Sequence, residues 1–161
     1  MRTITVKELL TSLLSGVLLT LPFLNFSFSP LAWIALIPLI AAVVGKKSRN
    51  AFLLGLAAGI VFGFGGMYWL ARVTAAGYAV LACYLALYPG CWTLFAAAVI
   101  RKRPGWFWWA APAAWTVLEF IRSFFLTGFP WNLLGISQVE NIPLIQISAF
   151  TGVYGVSFLV A

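Results

Sequence analysis

Residues 75–100, AAGYAVLACYLALYPGCWTLFAAAVI, contain no charged side chain. A helix that crosses a bilayer needs about 20 mostly apolar residues, so this stretch predicts a transmembrane helix. The whole chain has the same character, because 63% of its 161 residues are hydrophobic and only 8% are charged. A soluble domain is typically about a quarter charged. The sequence therefore predicts an all-α fold, a polytopic transmembrane helical bundle.

Apolar runs on both sides of this stretch predict further spans. The six predicted spans are Leu9–Leu24, Leu31–Val44, Ala51–Ala71, Ala75–Ile100, Trp106–Thr127 and Ile147–Ala161. The last run gives roughly 22 Å of helix, which is too short to cross a bilayer comfortably. We therefore expect about five complete spans plus a truncated sixth, in a membrane-domain fragment of a longer protein. The first span starts with basic residues like a signal peptide, but the absence of a small-residue cleavage site favours a retained helix.

Basic residues cluster in short loops between the spans. The sequences KKSRN at 46–50 and RKRPG at 101–105 are separated by two predicted spans, so they lie on the same side of the membrane. Arg2 and Lys7 agree with this arrangement. The positive-inside rule places this side in the cytoplasm and predicts a cytoplasmic amino terminus. The net charge of +7 is thus a topology signal, and no nucleic-acid partner is expected.

The residues needed for most catalytic chemistry are missing from this sequence. It has no histidine and no aspartate, which excludes Ser-His-Asp catalysis and most zinc sites. Cys83 and Cys91 lie about 12 Å apart on one predicted helix, too far for a disulfide. We expect both to be small buried apolar residues. No catalytic residue, metal or cofactor is therefore predicted within the chain.

Gly55, Gly59 and Gly63 recur every four residues in the third predicted span. They form a smooth stripe on one helix face, against which another backbone can pack closely. The alternative is a groove for the acyl chain of a ligand. Helix packing is the favoured interpretation, because such glycine stripes are common in membrane helices.

Residues 119–138, EFIRSFFLTGFPWNLLGISQ, place a carboxylate and a guanidinium inside an apolar helix. Glu119 and Arg122 share a helix face and can form an ion pair. A lone charge in the membrane costs several kcal/mol, so the pair should face the bundle or a wet cavity. Either it fixes helix packing or it forms a polar floor beneath an outward-facing site. Gly128 and Pro130 should end this helix, and the following mixed segment should lie at the outer interface or fold back over a cavity.

Residues 119–138, followed by PLIQISAFTGVYGVSFLV at 143–160, resemble the membrane region of bacterial apolipoprotein N-acyltransferases. The upstream sequences FSPLAWIALIPLI at 28–40 and GFGGMYWL at 63–70 also resemble it. The resemblance implies transfer of an acyl chain from a phospholipid to the N-terminal diacylglyceryl-cysteine of a lipoprotein, and it implies that the protein lies in the bacterial inner membrane. It also implies a separate nitrilase-like domain with a Glu-Lys-Cys triad, which follows the helices in the family and is absent from this chain. Neither cysteine here matches that nucleophile.

The resemblance implies that this chain is the scaffold and lipid-entry part of such an enzyme, inactive alone. Its expected partners are membrane phospholipids and, through the missing domain, a lipoprotein substrate. The candidate lipid-contact residues are Glu119, Arg122, Phe129 and Trp131. We expect the charged pair to brace the turn at 129–131 and Trp131 to contact lipid. The alternative is a non-enzymatic polytopic protein, either a transport subunit or a scaffold.

Overall fold

The computed structural model describes residues 3–126 and 128–161, and every regular element in these residues is helical. The α-helices are α1 (Val6–Leu24), α2 (Ile37–Val43), α3 (Ser48–Gly66), α4 (Ala75–Lys102), α5 (Phe107–Phe124), α6 (Ile142–Ile145) and α7 (Ser148–Val160). Four 3-10 helices connect them, at Phe26–Ile34, Tyr68–Arg72, Pro104–Trp106 and Leu134–Gln138. The predicted all-α bundle is confirmed.

Four segments of the described chain are long and apolar enough to cross a membrane: Val6–Leu24, Phe26–Val43, Ser48–Gly66 and Ala75–Lys102. They match the first four predicted spans. The fifth predicted span corresponds to α5, which has 18 residues but is not one of these four, because Glu119 and Arg122 lower its hydropathy. The sixth corresponds to α7, with 13 residues and a break at Gly152, where φ is 64°.

Three helix boundaries differ from the predicted ones. The second span is not one continuous helix, because Asn25 caps a 3-10 segment that precedes α2. The third ends at Gly66 and gives way to a 3-10 turn, instead of running on to Ala71. The fifth ends at Phe124, followed by an extended Phe125. The predicted end of that span, Thr127, lies outside the described residues.

The glycine stripe of α3 lies against α4. A Cβ atom on Gly59 would lie 2.7 Å from both Cα and O of Ala86, and one on Gly63 would lie 2.8 Å from the Ala82 carbonyl oxygen. At Gly55 the nearest atom would be the Thr93 hydroxyl at 2.1 Å. The two backbones therefore approach closely along the stripe, and α4 occupies the face where a side chain or ligand would otherwise lie.

The basic segments meet at one end of the bundle. The Lys46 ammonium lies 2.6 Å from the Glu8 carboxylate of α1 and donates a hydrogen bond to the Thr3 carbonyl at 3.3 Å. The Arg101 side chain donates to the Lys46 carbonyl at 3.4 Å. These contacts tie the segment before α1, the α2–α3 turn and the end of α4 together, which confirms that they lie at one end of the bundle. Arg2, which the prediction also used, lies outside the described residues.

Both cysteines lie on the exposed surface of α4, as free thiols. The prediction that Cys83 and Cys91 are buried is wrong. Its physical basis fails in a membrane, because lipid tails surround the outer surface with an apolar phase and an apolar side chain gains little from facing the bundle.

Candidate functional site

The candidate site comprises the turn after α5 and the residues that bind it. The described residues of this turn are 125–126 and 128–131, and they form the outer wall of the site. Leu126 and Gly128 have φ of 59° and 73°, and the Phe129 amide donates to the Arg122 carbonyl at 2.9 Å. Gly128 tolerates the left-handed conformation because it has no Cβ atom. Pro130 cannot continue a helix. The chain therefore reverses at this point, as the sequence predicts, and re-enters the bundle.

The Arg122 side chain binds the backbone of the segment that follows the turn. Its guanidinium donates to the Trp131 carbonyl at 3.0 Å and to the Asn132 carbonyl at 3.3 Å. It also lies 5.9 Å from the ring centre of Tyr88, within range of a cation–π interaction. The side chain is only 5% exposed. Because Arg122 is buried, bulk water does not compete for these two hydrogen bonds. The side chain thus holds the segment in position.

Glu119 holds the next part of the same segment. One carboxylate oxygen accepts hydrogen bonds from the Leu134 amide at 2.7 Å and from the Trp115 indole at 2.9 Å. The residue is only 4% exposed. Among the described residues the only ion pair within 4 Å is Lys46–Glu8, so the predicted direct pair between Glu119 and Arg122 is wrong. Both face inward as expected, but each is bound by the loop.

Both charged groups line one small cavity. It measures about 10 Å³ and is lined by Phe62, Tyr88 and Trp115 in addition to the two charged side chains. The second Glu119 oxygen and the Arg122 Nε are both buried at this place without a hydrogen-bond partner in the protein. The cavity has room for about one water. The two charges are therefore shielded from bulk solvent but remain close enough to attract each other.

The segment after the turn is buried inside the bundle. Leu134–Gln138 forms a 3-10 helix with Leu134, Gly135, Ser137 and Gln138 all buried. The predicted segment 131–146 therefore divides into two parts: residues 134–138 fold back into the bundle, whereas residues 139–143 are exposed.

Gln138 and Ser157 anchor this buried turn to the rest of the bundle. The Gln138 amide accepts from the Trp33 indole at 3.1 Å and donates to the Ser29 carbonyl at 2.9 Å. The Ser157 hydroxyl accepts from the Gly135 amide at 2.8 Å. Neither anchor is among the residues predicted from the sequence, although a polar side chain on an otherwise apolar helix, as at Ser157, is a usable signal.

The outer face of the turn presents aromatic side chains. Trp131 is 52% exposed, and its ring centre lies 5.4 Å from that of Trp69 and 6.3 Å from that of Phe129. Beside Phe129 an apolar groove of about 320 Å³ runs between the turn and the start of α4, past Val80 and Tyr84. The groove has the size and the apolar lining that an extended apolar ligand requires.

Residues 15–161 match the family described as the apolipoprotein N-acyltransferase N-terminal domain. The chain belongs to this family. It is 41% identical to an apolipoprotein N-acyltransferase of Geobacter metallireducens over 96% of its length. The corresponding values are 36% and 86% for the protein of Chromobacterium violaceum and 33% and 93% for that of Coxiella burnetii. The family match favours the acyltransferase interpretation over an unrelated transport subunit or scaffold.

The chain spans about a third of the length of these relatives. The matched part is 32% of the Geobacter metallireducens protein, 30% of the Chromobacterium violaceum protein and 33% of the Coxiella burnetii protein. The described helices thus correspond to the N-terminal membrane domain of the family.

Proposed function

We propose that this chain is the membrane domain of an enzyme that transfers an acyl chain from a phospholipid to the N-terminal diacylglyceryl-cysteine of lipoproteins. In this proposal the chain is the scaffold and lipid-entry part, and the chemistry belongs to a nitrilase-like domain outside residues 1–161. The observation that supports it best is the turn after α5, which presents Phe129 and Trp131 at its surface, with Phe129 lining an apolar groove. A polar, irregular edge is what a membrane domain needs next to an active site at its surface.

In this proposal the candidate residues have different tasks. An acyl chain would lie along the groove between α4 and the turn, in contact with Phe129. The half-exposed Trp131 would contact the lipid near its headgroup. Glu119 and Arg122 are positioning residues, because their polar atoms bind the backbone of the turn from beneath. No residue of this chain takes part in bond making.

A chimera tests this proposal. Residues 1–161 would replace the matching N-terminal region of the Geobacter metallireducens relative, and acyl transfer to a diacylglyceryl peptide would be measured in detergent with phospholipid as donor. We expect transfer by the chimera and none by residues 1–161 alone. Trp131→Ala in the chimera should lower transfer about tenfold or more at unchanged folded yield, because the lipid loses its positioning contact.

Trp108→Ala is the matched control for this experiment. It removes a 78% exposed tryptophan from the start of α5, at the opposite end of that helix from the turn. Its transfer should stay within about twofold of the parent chimera, as expected for an exposed side chain remote from the site. A folded chimera without transfer would contradict the proposed function. Full transfer by Trp131→Ala would contradict the lipid contact alone.

We also propose that the basic end faces the cytoplasm of a bacterium and that the chain lies in its inner membrane. The proposal is supported by Lys47, Arg49 and the Arg101–Arg103 cluster, all of which lie at one end, and by the positive-inside rule. In a variant without Cys83 and Cys91, single cysteines would be introduced as Lys47→Cys, Lys102→Cys or Asn141→Cys. A membrane-impermeant thiol reagent should label only the last in intact cells.

Permeabilised cells provide the control for this labelling. All three cysteines should react there, because each replaces an exposed residue. Labelling of the two basic-end positions in intact cells, with position 141 silent, would reverse the proposed orientation.

A further inference from the structure

A second apolar groove lies at the basic end of the bundle, far from the candidate site. It measures about 400 Å³ and runs between α4 and α5 below the turn that joins them. Phe95 and Ala98 of α4 and Ala110 of α5 form its walls, and the two alanines leave the space that larger side chains would fill. The nearest α4 residues that line the two grooves, Tyr84 beside Phe129 and Phe95 here, are about 16 Å apart along the helix.

Two cations stand at the rim of this groove. Lys102 and Arg103 line its end next to Trp106, and both are exposed. In the part of the chain that the structure describes, neither forms an ion pair with a carboxylate. α5 begins directly after Trp106 without a side-chain cap, so the partial positive charge of its N-terminus adds to theirs. The rim is therefore suited to an anion.

Trp106 fixes the depth of this rim in the membrane. It is 65% exposed, and exposed tryptophans in membrane proteins concentrate at the boundary between the headgroups and the hydrocarbon. If Trp106 marks this boundary, we expect the groove below it to lie at the level of the acyl chains. A ligand that fits both parts must carry an anionic group at the interface and an apolar chain beneath it.

We propose that this groove binds one anionic phospholipid, with an acyl chain between α4 and α5 and its phosphate at Lys102 and Arg103. A zwitterionic lipid fits less well, because no acidic side chain lines the groove to receive its cationic amine. The site is separate from the proposed acyl-donor groove and does not depend on the proposed function. A phospholipid bound at this site would keep the α4–α5 turn in contact with anionic lipids.

Quenching by brominated lipids tests this site in the full chain. The protein, purified in neutral detergent, would be titrated with phosphatidylglycerol or phosphatidylcholine that carries bromine on its acyl chains, and tryptophan fluorescence would be followed. We expect saturable quenching by phosphatidylglycerol at least about tenfold tighter than by phosphatidylcholine, and loss of this difference in Lys102→Gln with Arg103→Gln.

Two further variants separate a built site from general attraction. Lys47→Gln with Arg49→Gln removes the same charge from the other basic loop at this end and should change the apparent affinity less than about twofold, since these residues do not line the groove. Ala98→Leu keeps both cations but fills the groove, and should abolish the preference for phosphatidylglycerol. Equal loss in the two charge variants, equal quenching by the two lipids, or full binding by Ala98→Leu would each overturn the proposal.

Discussion

Replacing Gly59 with leucine is expected to abolish folding of the chain. A Cβ atom at this position would lie 2.7 Å from the backbone of Ala86, and a backbone atom of a helix cannot rotate away as the end of a side chain can. Even Gly59→Ala forces α3 and α4 apart and should cost about 1–3 kcal/mol. The larger side chain would open the whole interface. Folded yield after gel filtration in detergent measures the outcome.

Gly105→Leu is the matched control for this prediction. Nothing lies within 4 Å of a Cβ atom on Gly105, and this glycine lies in an exposed turn. Gly105→Leu changes composition and hydropathy by the same amount as Gly59→Leu. It should nevertheless leave the folded yield near that of the wild type. If Gly59→Leu folds at wild-type yield, the stripe is not a packing surface, and the alternative of an acyl-chain groove would regain support.

Hydropathy and charge predict most of this fold because the membrane imposes simple requirements. A run without charges such as residues 75–100 has to span, and the basic loops have to share a side. The contact of Arg101 with the Lys46 carbonyl is the structural counterpart of that argument. The glycine spacing in α3 is similarly informative, since a repeat of four residues stays on one helix face.

The same reasoning fails where lipid and protein interior look alike. Cys83 and Cys91 are exposed on α4, because an apolar residue is equally compatible with lipid and with a neighbouring helix. The position of the 3-10 segment Leu134–Gln138 inside the bundle is also hard to predict from the sequence. Its burial depends on partners distant in sequence, such as Trp33 and Ser157, which no local pattern identifies.

The charged residues of α5 show why a correct pairing rule can give the wrong partner. A spacing of three residues permits contact between Glu119 and Arg122. However, the segment after α5 brings backbone groups that have no other hydrogen-bond partner among the described residues, namely the Leu134 amide and the Trp131 carbonyl. An unpaired backbone group in an apolar interior is costly, so the side chains satisfy the backbone first.

Replacing Arg122 with glutamine is expected to destabilise the chain by about 3–5 kcal/mol, because it leaves the Glu119 carboxylate buried without an opposite charge nearby. The change also removes hydrogen bonds to two carbonyls of the turn. Glu119→Gln keeps an oxygen for the Leu134 amide and the Trp115 indole, but leaves the guanidinium uncompensated. The double variant removes both charges and should be milder than either single variant. Unfolding in mixed micelles with increasing dodecyl sulfate measures these differences.

Arg72→Gln controls for loss of a cation, since Arg72 is exposed and its removal should change stability by less than about 0.5 kcal/mol. The cavity that Glu119 and Arg122 line admits about one water, too little to screen either charge as bulk solvent would. If water does reach them freely, each single variant should cost less than about 1 kcal/mol. Wild-type stability in both single variants would therefore refute the bracing of the turn. A large loss in both, relieved in the double variant, would show that the charge balance beneath Trp131 holds the outer wall of the groove in place.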